Sequence, residues 1–527
     1  MCRGKPFVVT SFLFFTIFFD SFPESEGFLG VRKQNLNLLT DLVPLEQGNV
    51  STLFYEQKLD HFTTGEARTW KQRYHVSEDY VSETRNRAYL YLGGESSLRS
   101  TCASSGAWIE HIKEYGGLVV CLEHRYYGES QPLENLSTEN LKYLSSTQAL
   151  EDAATFIQFI NTQYNLTSDV KWIVYGASYS GSLAAWLRLK YPHLVAGAVS
   201  HSGPLEAVLE FKEYLQVVLD DFASHSTQCL TNIKAAFTEL EEVVSSCLED
   251  SEIYNYVDEV LTLCDSIEQS EGNDKDLASF FEVLADDNFA YVAQYNKNPS
   301  LGNLTVDFVC DIMVDESIGT VVDRLGKVNT AVLNKTGSEC LDYTYTSMIT
   351  QYTNVTADPS SMMRQWFYQT CTEFGFFQTS AQDDPVFGSR FDIDFFVETC
   401  QDLFGTEFNE SLITAGINQV NTRYGATNIK ASNVVYVHGS MDPWHVLGKL
   451  EDDNEVGSKA IVIQGLSHCA GYYTARANDS DDLINARAEV HKLVGEWLTG
   501  ESTSSGFKTT SFSLFVIILI SIYAMIV

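Results

Sequence analysis

The chain has 527 residues, 44% hydrophobic and 13% aromatic, room for two or three ordinary domains or one large domain with an insertion. That aromatic content excludes a disordered or low-complexity chain. With 34 Lys+Arg against 70 Asp+Glu the formal charge is −36, so nucleic acid is not expected as a partner, and an acidic compartment or the cell exterior is.

Residues 1–27 read as a secretory signal: Arg3 and Lys5, then the apolar run Phe7 to Phe19, then polar Asp20, Ser21 and Glu24. The run falls short of the roughly 20 apolar residues that a spanning helix needs. Cys2 leaves with the signal and ten cysteines remain, an even number that favours disulfides in a secreted chain, with connectivity left open. Eight N-x-S/T sequons fit a glycoprotein: Asn49, Asn135, Asn165, Asn303, Asn334, Asn354, Asn409 and Asn478.

The first core part is placed at 28–205, and from about 50 to 205 strand-like and helix-like segments alternate. Ala88 to Leu92 reads as a strand ending at Gly93-Gly94, and Gly117 to Glu123 as a buried strand. Leu150 to Tyr164 has helical spacing, Val170 to Tyr175 is a strand, Ser182 to Tyr191 a helix stopped at Pro192, and Val195 to Val199 again a strand. Such alternation with fully apolar strands predicts a parallel sheet covered on both faces. From 206 to 425 the pattern turns helical (Leu205 to Phe222, Thr231 to Cys247) and holds seven of the ten cysteines. Strands return at Asn433 to His438 and Ala460 to Gln464, within a second core part at 426–499. The middle is therefore expected to be a mainly helical, disulfide-bearing cap inserted into one α/β sheet. Residues 500–527 give small residues (Gly500 to Gly506) and then an apolar tail, the pattern of a glycolipid-anchor signal, with a short tail anchor or simple secretion after trimming as alternatives.

The chemistry concentrates at Gly176-Ala177-Ser178-Tyr179-Ser180-Gly181, where a strand runs into a helix. That is the context of a nucleophile elbow, G-x-S-x-G, with Ser180 standing where the pattern wants Gly. A serine nucleophile needs a base and the base an orienting acid, in the hydrolase chain order Ser, Asp, His. Asp442 follows the strand ending at His438, and His468 follows the strand ending at Gln464, so both sit at strand C-terminal ends. His201, His438 and His445 are rival bases. The oxyanion hole is assigned to the backbone N–H of Tyr179 and one from Gly93-Gly94-Glu95, taken as Gly94. No metal-ligand spacing or cofactor motif is present, so no metal and no cofactor is expected.

Together the segments Gln57–Phe62 (QKLDHF), Trp70–Tyr74 (WKQRY), Glu123–Ser130 (EHRYYGES), Gly176–Trp186, Trp366–Thr379, Asp442–Trp444 and Ser467–Cys469 resemble one family. It is the prolylcarboxypeptidase, dipeptidyl peptidase II and thymus-specific serine protease family, and the likeness is strongest to the thymus-specific branch. The resemblance implies an α/β-hydrolase core with a cap, hydrolysis of peptide bonds beside proline, and Ser178, Asp442 and His468 as the triad. His438 stands where the family commonly has Asn. Trp366, Phe367, Tyr368 and Glu373 are candidate pocket residues, with a structural role for Glu373 as the alternative. The dipeptidyl branch is expected to carry an acid directly after that Trp. Phe367 there favours a carboxypeptidase, with an X-Pro dipeptidyl peptidase, an esterase or a catalytically silent binding ectodomain as alternatives. The expected partners are proline-containing peptides, with membrane attachment through the tail and a homodimer left open. The expected location is the secretory pathway, extracellular or lysosomal, or the anchored cell surface.

Overall fold

The computed structural model describes residues 48–245 and 251–500. The signal at 1–27, Cys247 and the tail from 501 lie outside the described residues. Eight strands form one sheet in the order β1-β2-β4-β3-β5-β6-β9-β10. These are β1 (Val50–Lys58), β2 (Thr69–Ser77), β3 (Arg87–Leu92), β4 (Leu118–Leu122), β5 (Lys171–Ala177), β6 (Val195–His201), β9 (Val434–Gly439) and β10 (Lys459–Ile463). A separate two-stranded sheet pairs β7 (Val208–Glu210) with β8 (Gly375–Phe377). β1 and β2 run antiparallel at one side, and every pair from β4 to β10 in that order is parallel.

Strand alternation divides the core. Tyr89, Tyr91, Val119, Cys121, Ile173 and Tyr175 face α1 (Ala107–Tyr115), through Trp108 and Ile112, and the C-terminal helix Asp481–Thr499, through Val490 and Val494. Ala88, Leu90, Val120, Trp172 and Val174 face α2 (Ser146–Gln163), through Phe156 and Ile160, and α3 (Tyr179–Lys190), through Leu183 and Leu187. Both faces are covered, which is why these strands are apolar throughout rather than alternating. This is an α/β-hydrolase core.

Between β6 and β9 no described residue adds a strand to the large sheet. The segment is mainly helical, including α4 (Lys212–His225), α5 (Thr227–Ser245), α6 (Asp274–Ala285), α7 (Met363–Gln369) and α8 (Ile393–Phe404). Of the four disulfides among the described residues three lie in it, Cys229–Cys310, Cys264–Cys340 and Cys371–Cys400, and the fourth joins Cys102 to Cys121 on β4. Cys469 departs from the expected pairing. It is a free buried thiol packed in the core with Tyr91, Tyr472 and Tyr473. No helix among the described residues is long and apolar enough to cross a membrane.

Candidate active site

Because β3, β5, β9 and β10 are parallel, the loops after them open on one edge of the sheet. Ser178 ends β5 and begins α3 with φ 60°, ψ −135°, a strained conformation for a non-glycine residue. A turn this sharp demands small neighbours. A Cβ at Gly176 would lie 1.9 Å from Ser180 O, so no other residue fits. Ser180 fits where glycine was expected because its hydroxyl is used. It donates to Ala177 O (2.8 Å) and accepts from Ala177 N–H (2.9 Å), closing the elbow on itself. The Ser178 N–H donates to His201 O at 2.9 Å. Ser178 is half-buried and faces a cavity.

Asp442 and His468 come together across two loops, Nδ1 to Oδ1 at 2.8 Å, both fully buried. The same Oδ1 accepts from Trp444 N–H at 3.0 Å, so the turn after β9 fixes the carboxylate. Burial pushes the Asp442 carboxyl up, but the His468 imidazole outweighs it and holds the carboxyl below its ordinary value. Burial opposes charge on His468 too, yet Asp442 draws its pKa well above the usual imidazole range. That is the electrostatics of a base able to keep a proton. His468 N–H donates to Gln294 O at 2.8 Å, and its ring lies 6.0 Å from Tyr295 and 6.5 Å from Trp444, both on the cavity wall. No hydrogen bond joins Ser178 Oγ to His468 among the described residues. Such bonds are often long in ligand-free sites.

None of the rival histidines hydrogen-bonds the Asp442 carboxylate among the described residues. His445 Nδ1 pairs with the backbone carbonyl of Asp442 (2.6 Å), not with its carboxylate. His201 is buried against Tyr472 and serves Ser178 through its main chain. His438 is buried over Gly448, where an added Cβ would lie 2.2 Å from its ring, and burial lowers its pKa to about 4.

Gly94 lies against the first turn of α3, where its Cβ would sit 3.5 Å from Ser180 Cβ and 3.6 Å from Ser180 N. Tyr179 opens α3, and its ring reaches into the helical segment. Its hydroxyl bonds His124 Nε2 (3.1 Å) and accepts from Gln369 Nε2 (3.0 Å). The other motifs brace this edge. Glu123 pairs with Arg73 and accepts from Leu98 N–H (2.9 Å), tying down the loop after β3. Arg125 grips Asp152 through two bonds of 2.6 Å, and His61 joins that carboxylate at 2.7 Å.

The cavity at Ser178 opens between the sheet edge and the helices. Trp366 and Phe367 line it, together with Tyr214, Tyr295, Phe376 and Trp444. Tyr368 does not. One helical step carries it to the opposite side, against Phe404 (5.4 Å) and Phe408 (5.9 Å). Glu373 does not either. It is buried on the first turn of α2, accepting from Ser146 N–H (2.8 Å) and Ser146 Oγ (2.7 Å), which is the structural role. Sequence reasoning missed Gln294, whose Oε1 accepts from Tyr214 Oη (2.6 Å) and Trp444 Nε1 (2.9 Å). It missed the carboxyls of Glu95, Glu282 and Asp286 on the wall as well. Neither Gln294 nor the two helical acids sits in a local motif, so only three-dimensional assembly reveals them.

Of the sequons, Asn135 is half-buried with its Oδ1 held by Ser137 N–H and Asn140 Nδ2, and the other seven are exposed.

The model of the serine carboxypeptidase S28 family matches residues 57–490. A putative serine protease of Caenorhabditis elegans is 34% identical over 466 residues, 85% of this chain and 88% of that protein. The thymus-specific serine protease of Mus musculus is 33% identical, covering 84% and 86%. The lysosomal Pro-X carboxypeptidase of the same species is 27% identical, covering 85% and 89%. The span of the family match and these relatives place this chain in the serine carboxypeptidase S28 family of serine-type peptidases.

Proposed function

We propose that the protein hydrolyses peptide bonds beside proline through an acyl-enzyme on Ser178. The observation that carries this is the strained elbow serine opening on an aromatic cavity beside the buried Asp442–His468 pair. Ser178 Oγ attacks the scissile carbonyl carbon and its proton passes to His468 Nε2. Asp442 holds the Nδ1–H and the imidazolium charge. The N–H groups of Tyr179 and Gly94 receive the oxyanion. His468 then gives its proton to the leaving amine, and water hydrolyses the ester by the same path. Trp366, Phe367 and Trp444 offer flat apolar surface that suits a prolyl ring, and the Pro-X carboxypeptidase relative supports that preference. The same relative and seven exposed sequons support a secretory or lysosomal route with glycosylation. Membrane attachment through the tail rests on the sequence alone.

The test uses the full chain and two peptides, one with proline second from the amino end and one with proline second from the carboxyl end. Products are read by mass spectrometry. Cleavage beside proline in either, absent in Ser178→Ala, is expected. Cleavage of neither, or of proline-free controls equally well, would remove the proline preference.

A further inference from the structure

Asp442 has only one of its two carboxylate oxygens in use. Oδ1 accepts from His468 Nδ1–H and from Trp444 N–H. Oδ2 is buried and accepts no hydrogen bond among the described residues. A buried ionised oxygen without a donor is costly, more so than a neutral one.

The turn His201-Ser202-Gly203, at the end of β6, reaches every member of the triad. His201 O accepts from Ser178 N–H at 2.9 Å. Ser202 N–H donates to Val437 O (2.7 Å) on β9, the strand that leads to Asp442. Ser202 Oγ accepts from the N–H of Cys469 (2.9 Å), the residue after His468. Gly203 packs on the first turn of α3, where a Cβ would lie 2.7 Å from Ser182 N. Ser202 itself is buried and holds φ 48°, a region that residues with a side chain seldom adopt. Such strain persists where the surroundings over-determine it, and it clusters at working sites. The Ser202 oxygen already accepts, so its proton needs an acceptor of its own. Burial raises the Asp442 pKa, and His468, then the Ser202 hydroxyl beside the carboxylate, then His438 lower it. His438 does so by charge alone, without a hydrogen bond.

We infer that Ser202 is a positioning residue of the triad: its hydroxyl proton goes to Asp442 Oδ2 while its oxygen keeps the Cys469 N–H. One side chain then ties the acid to the loop that carries the base. This role rests on the triad reading above and deepens it. Ser202 is not on the cavity wall, so it acts through Asp442 and His468 and not on substrate. With both oxygens held, the carboxylate keeps its aim on Nδ1–H while His468 takes up charge, and Nε2 stays directed at Ser178.

The test uses the full chain and needs no peptide substrate. Ser202→Ala keeps the Cβ and loses the hydroxyl. Ser202→Gly loses both, on a backbone where glycine is at ease. Each is reacted with a fluorophosphonate over a range of concentrations, and labelling of Ser178 is followed. Expected in both is a fall of about tenfold to a hundredfold in the maximal labelling rate, with the half-saturating concentration within about twofold of wild type. The low-field proton resonance of His468 Nδ1–H should shift in both, which a loss of packing elsewhere would not cause. A maximal rate within about threefold of wild type in Ser202→Gly overturns the inference. So does a slowed variant whose resonance stays in place. A wild type that takes no label at Ser178 overturns the triad reading and this role with it, whereas a labelled wild type with unaffected variants overturns this role alone.

Discussion

Ser180 shows how one hydroxyl replaces the freedom of a glycine. Its two bonds to Ala177 hold the elbow from within. Ser180→Ala keeps the size and removes both, so a loss of about 1–3 kcal/mol is expected in urea unfolding, with a fall in kcat as Ser178 loosens. Asp442→Asn should be more severe for activity than for folding. The buried pair then loses the charge that steadies His468, and kcat is expected to fall by about 10⁴ with KM little changed. Measured kcat within tenfold of wild type would show that another group orients the base. At this scale the triad candidates were legible because each lies just past a recognisable strand end, in a short motif. Glu282 and Asp286 were not, because a helix face reads as amphipathic surface until its neighbours are known. Tyr368 and Glu373 were misplaced for a related reason. A contiguous aromatic segment was read as one surface, whereas a helix sends successive residues to different sides.

Strands of the parallel sheet were read from sequence to within two residues, since fully apolar runs bounded by glycine have few alternatives. The β1–β2 hairpin was passed over. Leu53 and Phe54 are exposed on its edge strand, and its polar residues break the apolar signal. α3 begins at Tyr179 rather than Ser182, because the elbow itself starts the helix and apolar spacing does not register that turn. Elements far apart in the chain are joined by a few specific ties, and these carry predictions. Arg125, Asp152 and His61 link the motif after β4, α2 and the loop after β1 in a cluster whose Arg125 and Asp152 are fully buried and whose His61 is half-buried. Removing one member strands a buried charge, so Asp152→Ala should cost about 3–5 kcal/mol in chemical denaturation. Replacing both Cys371 and Cys400 by Ser releases the tie between the π-helical turn Thr370–Phe374 and α8. A loss of about 2–4 kcal/mol is expected, together with weaker substrate binding, since Thr370 on the cavity wall adjoins that tie.

The whole molecule carries buried titratable groups of two opposing kinds. Burial raises Glu95 and Glu373 to about 7 and Asp221 to about 8. Unfolded, these carboxyls would have released their protons near pH 4. Their stabilisation is therefore full below pH 4 and is lost as pH climbs toward 7 and 8. Burial lowers His111 and His201 to about 3 and His124 and His438 to about 4. Their contribution is full above about pH 6.5 and lost as pH falls toward 3. The two slopes nearly cancel between roughly pH 4.5 and 6.5 and act alone outside that window. The formal charge of −36 adds repulsion on the alkaline side. Thermal unfolding should show a plateau in mildly acidic buffer and a Tm several degrees lower at pH 8. A Tm that rises steadily to pH 8 would contradict these assignments, and with them the fit to an acidic compartment.

We propose Ser178, one serine among many, as the nucleophile, made so by its turn and by the pair behind it. Treatment of the full chain with a fluorophosphonate, followed by peptide mapping, tests it directly. One modified residue, Ser178, is expected, with no labelling of Ser178→Ala and slowed labelling of Asp442→Asn. Modification at another serine, or undiminished labelling of Ser178→Ala, would contradict it.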